Sequence, residues 1–90
     1  MTTVARAERF DRDVRENVTS LRVLNSIERA LKSLETIPEM GSSDLPRSIE
    51  ERFGATVRKL ACPPFLVIYE YFPNEDLVVV YGLVASRQAF

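Results

Sequence analysis

The stretch Phe65–Phe72 (FLVIYEYF), the four residues Pro73-Asn74-Glu75-Asp76 and the stretch Leu77–Val84 (LVVVYGLV) decide the fold. Both apolar stretches are dense in β-branched and aromatic residues, which suit a pleated, half-buried surface. Pro, Asn and Asp between them are turn residues. A connection this short makes a hairpin, so the two strands run antiparallel. Pairing Phe72 with Leu77 sets Tyr69 against Val80 and Val67 against Gly82. Alternate side chains then sort to opposite faces. Phe65, Val67, Tyr69, Tyr71, Val78, Val80, Gly82 and Val84 share one face, and Leu66, Ile68, Glu70, Phe72, Leu77, Val79, Tyr81 and Leu83 share the other. Both faces are apolar, so both need cover or a partner.

Upstream of the hairpin, Thr56–Leu60 reads as a further short strand, and Thr2–Arg6 as another at the start of the chain. From Phe10 the period changes. Phe10, Val14, Val18 and Leu21 recur at helical steps, and Asp11–Arg15 and Arg12–Glu16 are spaced as ion pairs on the outer side. This helix is predicted to stop near Asn17. A second begins after Ser20, whose hydroxyl can cap it. Its stripe is Leu21, Leu24, Ile27, Leu31 and Leu34, flanked by Val23 and Ala30, with Glu28–Lys32 as a supporting pair and Ile37-Pro38 as its stop. Glu39–Pro46 (EMGSSDLP) is a loop, and Pro46–Phe53 with Gly54 after it suits a short helix. The predicted class is α+β: a short N-terminal strand and a two-helix antiparallel hairpin packed on a mainly antiparallel sheet of three to four strands, in a single domain over residues 1–90. The helical hairpin can cover one sheet face. The other is then left to receive a partner or a second copy of the chain, unless the loop and tail close it.

Composition narrows the function classes. Ninety residues hold one modest core. Twelve Lys and Arg face thirteen Asp and Glu for a net charge of −1, which forecasts no strong non-specific phosphate binding. An apolar share of 46% with balanced charge excludes intrinsic disorder. The chain has no His, so the commonest general base and the commonest zinc ligand are missing. One cysteine, Cys62, forms no internal disulfide and no Cys-rich metal site. No cofactor or metal is therefore expected. MTTVARAERF does not read as a signal peptide, and Cys62–Tyr69 and Leu77–Ala85 are too short to span a bilayer. The expectation is a reduced, cytoplasmic protein without membrane contact.

The order and local wording of these segments resemble the RelE/ParE toxin superfamily. RAERFDRDV resembles the start of its first helix, LPRSIEERFGATVRKL its approach to the sheet, and PPFLVIYEY followed by LVVVYGLVASR its C-terminal hairpin and tail. The resemblance implies the toxin of a type II toxin–antitoxin module, silenced by an antitoxin that wraps it over the sheet face and groove. RelE-like members cut mRNA on the ribosome, whereas ParE-like members inhibit DNA gyrase. Where RelE-like nucleases usually carry an Arg on the central strand, this chain has Leu66. Where many carry a His two residues before the tail Arg, it has Ala85. Lys59 and Arg87 match basic positions of the superfamily. The resemblance favours the gyrase-directed branch. A ribosome-dependent endoribonuclease using Lys59, Arg87 and Tyr81 is the alternative, and a homodimeric α+β interaction module is another.

Arg58, Lys59, Tyr69, Tyr81 and Arg87 are the candidate contacts to target or antitoxin. Arg58 and Lys59 are neighbours in a strand and must point to opposite faces. Tyr69, Tyr71 and Tyr81 suit either an interface or the core rim. Glu70, on an otherwise apolar face, suits a pair with Arg58 or Arg87 better than a general base. Cys62 lacks a cationic setting and reads as structural. Asp11, Asp13 and Glu16 alternate with Arg12 and Arg15 and read as a solvated face rather than a metal site.

Overall fold

A computed structural model describes residues 1–89. The order is β1 (Thr3–Arg6), α1 (Glu8–Asn17), α2 (Leu21–Leu34), α3 (Arg47–Phe53), β2 (Arg58–Cys62), β3 (Phe65–Phe72), β4 (Leu77–Ala85) and a short α4 (Ser86–Ala89). The strands form one sheet in the order β1-β4-β3-β2. β2, β3 and β4 are antiparallel neighbours, and β1 joins the edge parallel to β4, with Val4 beside Val78. The α+β class and the helical hairpin are as expected. The short α4 departs from the expectation, and β2 starts at Arg58 rather than Thr56 because Thr56 is still in the turn after α3. No helix among the described residues is long and apolar enough to cross a membrane.

The helix boundaries have local causes. Ser20 caps α2 by accepting the Val23 N–H at 3.4 Å. The helix ends at Leu34, ahead of Ile37, in a tighter turn where Glu35 N–H reaches Lys32 O and Thr36 N–H reaches Ser33 O, each at 3.1 Å. Gly54 closes α3 with φ at +95°, a conformation that glycine adopts without strain. Phe10, Ile27, Leu31 and Leu34 pack on Val67, Tyr69, Val78 and Val80 in the larger apolar cluster. Leu21, placed on the stripe by its spacing, is instead 71% exposed, and the half-buried Val23 takes its place. The expected pairs within α1 and α2 do not form among the described residues. Glu28 turns to Arg6 of β1 rather than to Lys32 and so ties α2 to the sheet edge.

The hairpin register follows expectation from Phe72↔Leu77 to Tyr69↔Val80 and then slips. Ile68 pairs with Gly82 and Val67 with Leu83, so Tyr81 is an extra residue, a β-bulge. Beyond it the faces of β4 exchange. Leu83 joins the cluster under the helices, while Val84 joins the opposite one, against the expected sorting. β1 ends just here, and α1 takes over the free edge. Ala7 N–H donates to Val80 O at 2.9 Å, and the Asp13 carboxylate accepts the Leu83 N–H at 3.2 Å. Asp13 is thus a ligand of the backbone and not part of a solvated face.

The second sheet face is not left bare as expected. Ile49 of α3, Val57 and Ala89 of α4 bury Leu66, Ile68 and Val84, with Leu45, Phe53 and Tyr81 packed at the rim. The chain's own loop and tail therefore seal the half of this face nearest the start of β3. The half nearest the hairpin turn stays open: Phe72, Leu77 and Val79 are only half-buried and belong to neither apolar cluster.

Candidate functional site

The open half-face ends at the bulge. Tyr81 projects there by alternation from Leu77 and Val79, and the register slips only beyond it. Its hydroxyl donates to Glu70 Oε1 at 2.9 Å, and Thr56 donates to Glu70 Oε2 at 2.9 Å. Burial, the hydrogen bond to Glu70 and the Glu70 charge together push the Tyr81 phenol up to about 12. Glu70 is paired to hydroxyls and not to Arg58 or Arg87.

Beside Tyr81 lies Gly82, the one position in β4 without a side chain. A Cβ there would sit 2.9 Å from Cε1 and Cζ of Phe53. Glycine therefore provides the seat on which the Phe53 ring rests. Two guanidinium groups stand over that ring. Arg9 of α1 is 4.7 Å from its centroid and Arg52 of α3 is 5.2 Å away. Each such contact contributes roughly 0.5–1 kcal/mol at an exposed site. Ala7, Arg9, Arg52, Phe53 and Tyr81 line a shallow cleft of ≈ 260 Å³. Neither Arg has a carboxylate partner among the described residues.

The other residues singled out from the sequence are dispersed. Arg58 and Lys59 do take opposite faces. Arg58 binds the 39–41 loop through Gly41 O at 2.8 Å, Glu39 O at 3.3 Å and the Glu39 carboxylate at 3.3 Å. Tyr69 lies across from Arg58 and accepts the Gly41 N–H at 2.8 Å. Burial raises the Tyr69 phenol, opposed by the Gly41 N–H and the Arg58 charge. At 0% exposure Tyr69 offers no surface to a partner and is a core residue that holds the loop. Lys59 lies on the second face opposite Ile68, half-buried, with its backbone exchanging two hydrogen bonds with Ser42 at 2.9 Å. Arg87 is exposed on α4 and makes no hydrogen bond or ion pair among the described residues. The Tyr81 hydroxyl is directed at Glu70 and not at Arg87. Cys62 is buried, and burial raises its thiol. No three His, Cys, Asp or Glu side chains among the described residues converge as metal ligands.

The sequence reading does not single out Arg9, Arg52 or Phe53. The signal for them is Gly82: a lone glycine amid bulky strand residues marks a close approach by another group. Nothing local says which group, because Phe53 is distant in sequence.

Known proteins share this architecture. The family model described as the ParE toxin of type II toxin–antitoxin systems matches residues 3–90. Curated protein sequences give no match. Among solved structures the chain is similar to a metal-bound toxin from Helicobacter pylori, with a TM-score of 0.67, 18% identity and 100% of each chain covered. At that identity the likeness shows the fold.

Proposed function

The chain belongs to the ParE toxin family of type II toxin–antitoxin systems, and from that premise we propose that it arrests growth by inhibiting DNA gyrase until a cognate antitoxin binds it. The match over residues 3–90 carries this reading. Three features favour gyrase over mRNA as the target. Leu66, at the position where RelE-like nucleases usually hold an Arg, is buried against Ile49 and Ile68. An mRNA cut needs a base for the 2′-hydroxyl and cations around a crowded phosphate. Tyr81 keeps its proton to about 12 and directs it at Glu70, so it is poorly placed as that base. A net charge of −1 gives no long-range attraction to RNA.

Inhibition then works by occupation of a surface and not by bond chemistry. Lys59, Tyr81 and Arg87 remain the candidate contacts, and Arg58 acts by holding the 39–41 loop in place. The need for an antitoxin does not draw on a wholly bare sheet face. It draws on family membership and on the open half beside the hairpin turn. The test is a supercoiling assay with purified chain and gyrase. Inhibition that rises with the chain's concentration is expected. Undisturbed supercoiling at saturation, together with codon-linked transcript cuts on induction, would replace this reading with the nuclease.

A further inference from the structure

We propose that the cleft between the start of α1 and the end of α3 receives a carboxylate side chain from an acidic, apolar segment of a partner protein. Arg9 and Arg52 are its ligands and the open half-face is the bed for the segment's apolar residues. The proposal deepens the toxin reading and rests on it for the source of the segment, the antitoxin.

Two guanidiniums held on one ring single out this cleft. Three Arg side chains elsewhere are engaged by acids or carbonyls: Arg6 by Glu28 and Asp11, Arg47 by Glu51, and Arg58 by Glu39 and Gly41 O. Arg12, Arg15, Arg22, Arg29 and Arg87, like Arg9 and Arg52, have no acid among the described residues, but only Arg9 and Arg52 share one ring. Their ring contact limits where the two guanidiniums can go, and so reduces the ordering needed on binding. Two guanidiniums lining one cleft suit a planar oxyanion, and charge-assisted hydrogen bonds to it are stronger than neutral ones. A cleft of ≈ 260 Å³ takes a side chain and little more.

The surroundings choose protein over nucleic acid. From Ala7, which lines the cleft, the same face runs to Ala5, and Ala5 lies beside Val79. Leu77 and Phe72 pair with each other further along. This strip is apolar and partly exposed, which suits alternate side chains of a peptide. A nucleic acid carries a phosphate at every step, and Glu70 on this face opposes such a run. The Phe53 ring, where a base would stack, already holds guanidinium groups. A segment with a single carboxylate meets neither obstacle.

The test uses the full chain with three probes: a twelve-residue peptide alternating Leu or Val with Ser and carrying one Glu in place of an apolar residue, its Gln counterpart, and a twelve-nucleotide single strand. NMR follows the Arg side-chain N–H and Phe53 ring signals. The Glu peptide should shift Arg9, Arg52 and Phe53 and bind at least about tenfold more tightly than the Gln peptide. In the double variant Arg9→Gln/Arg52→Gln that preference should vanish, and unchanged backbone spectra would show that the variant is folded. Equal binding of both peptides, absence of binding by the Glu peptide, or shifts at these signals with the nucleotide strand alone would overturn the proposal. Growth on induction of the wild-type chain is scored separately. Normal growth would remove the toxin reading while the peptide titrations still decide what the cleft binds.

Discussion

At the scale of single residues, the chemistry of this chain lies in hydroxyls and guanidiniums whose partners are distant in sequence. Arg58 reads from sequence as a free contact because its partners are on a loop 17 to 19 residues away. Tyr81 and Glu70 can be placed on one face by alternation alone, and the structure joins them. That pair makes a pH-dependent contribution whose sign is fixed. The folded phenol is held at about 12, above its ordinary 10.0, so the folded state favours the protonated hydroxyl. The resulting stability is fully present below pH 10 and is lost as pH rises through about 12. Tyr81→Phe removes the donor. It should lower stability by about 1 kcal/mol below pH 10, a typical value for one hydrogen bond. The gap to wild type should narrow as pH climbs toward 12, and urea midpoints across that range would measure it. A gap that stays constant would mean that the phenol titrates alike in both states.

At the scale of elements, the helices are legible in the sequence and the bulge is not. Helices announce themselves through apolar steps of three and four, as Ile27, Leu31 and Leu34 do. A strand fixes its register through alternation, and LVVVYGLV has none: nearly every position is apolar, so a slip by one residue leaves the pattern intact. The register past Tyr81 is decided instead by α1 and by the seat for Phe53 at Gly82. Asp13 is the link in α1. It supplies the acceptor for Leu83 N–H where β1 has stopped covering the edge of β4. Asp13→Ala would leave that buried residue's N–H without its partner, at a cost of about 1–2 kcal/mol. Asp13→Asn keeps a carbonyl oxygen in place and should recover most of the loss. Urea denaturation gives the energies, and hydrogen exchange at Leu83 should accelerate in the Ala variant alone. Equal exchange in both variants would show that Asp13 is not what protects this edge.

At the scale of the whole molecule, one sheet separates two apolar clusters, and the cover on each side has a different kind of sequence behind it. The helical hairpin carries a long period and is readable. Leu45, Ile49, Phe53, Val57 and Ala89 come from a loop, a seven-residue helix, a turn and a tail, too scattered for any period to reveal. Both clusters nevertheless hang on the same strands, since Leu66 and Ile68 face one way and Val67 between them faces the other. Loss of either cover should therefore loosen the strands that serve both. Leu31→Ala on the helical side and Ile49→Ala on the α3 side each create a cavity costing about 2–5 kcal/mol. A domain of this size has only about 5–13 kcal/mol in total at ordinary values per residue. Each variant should unfold at lower urea in one transition, with helical circular dichroism and tyrosine fluorescence superimposed. If Ile49→Ala instead shifted the tyrosine signal while the helical signal kept its wild-type midpoint, the α3 side would be a separately melting flap. The open half-face would then be larger in solution than the folded chain presents.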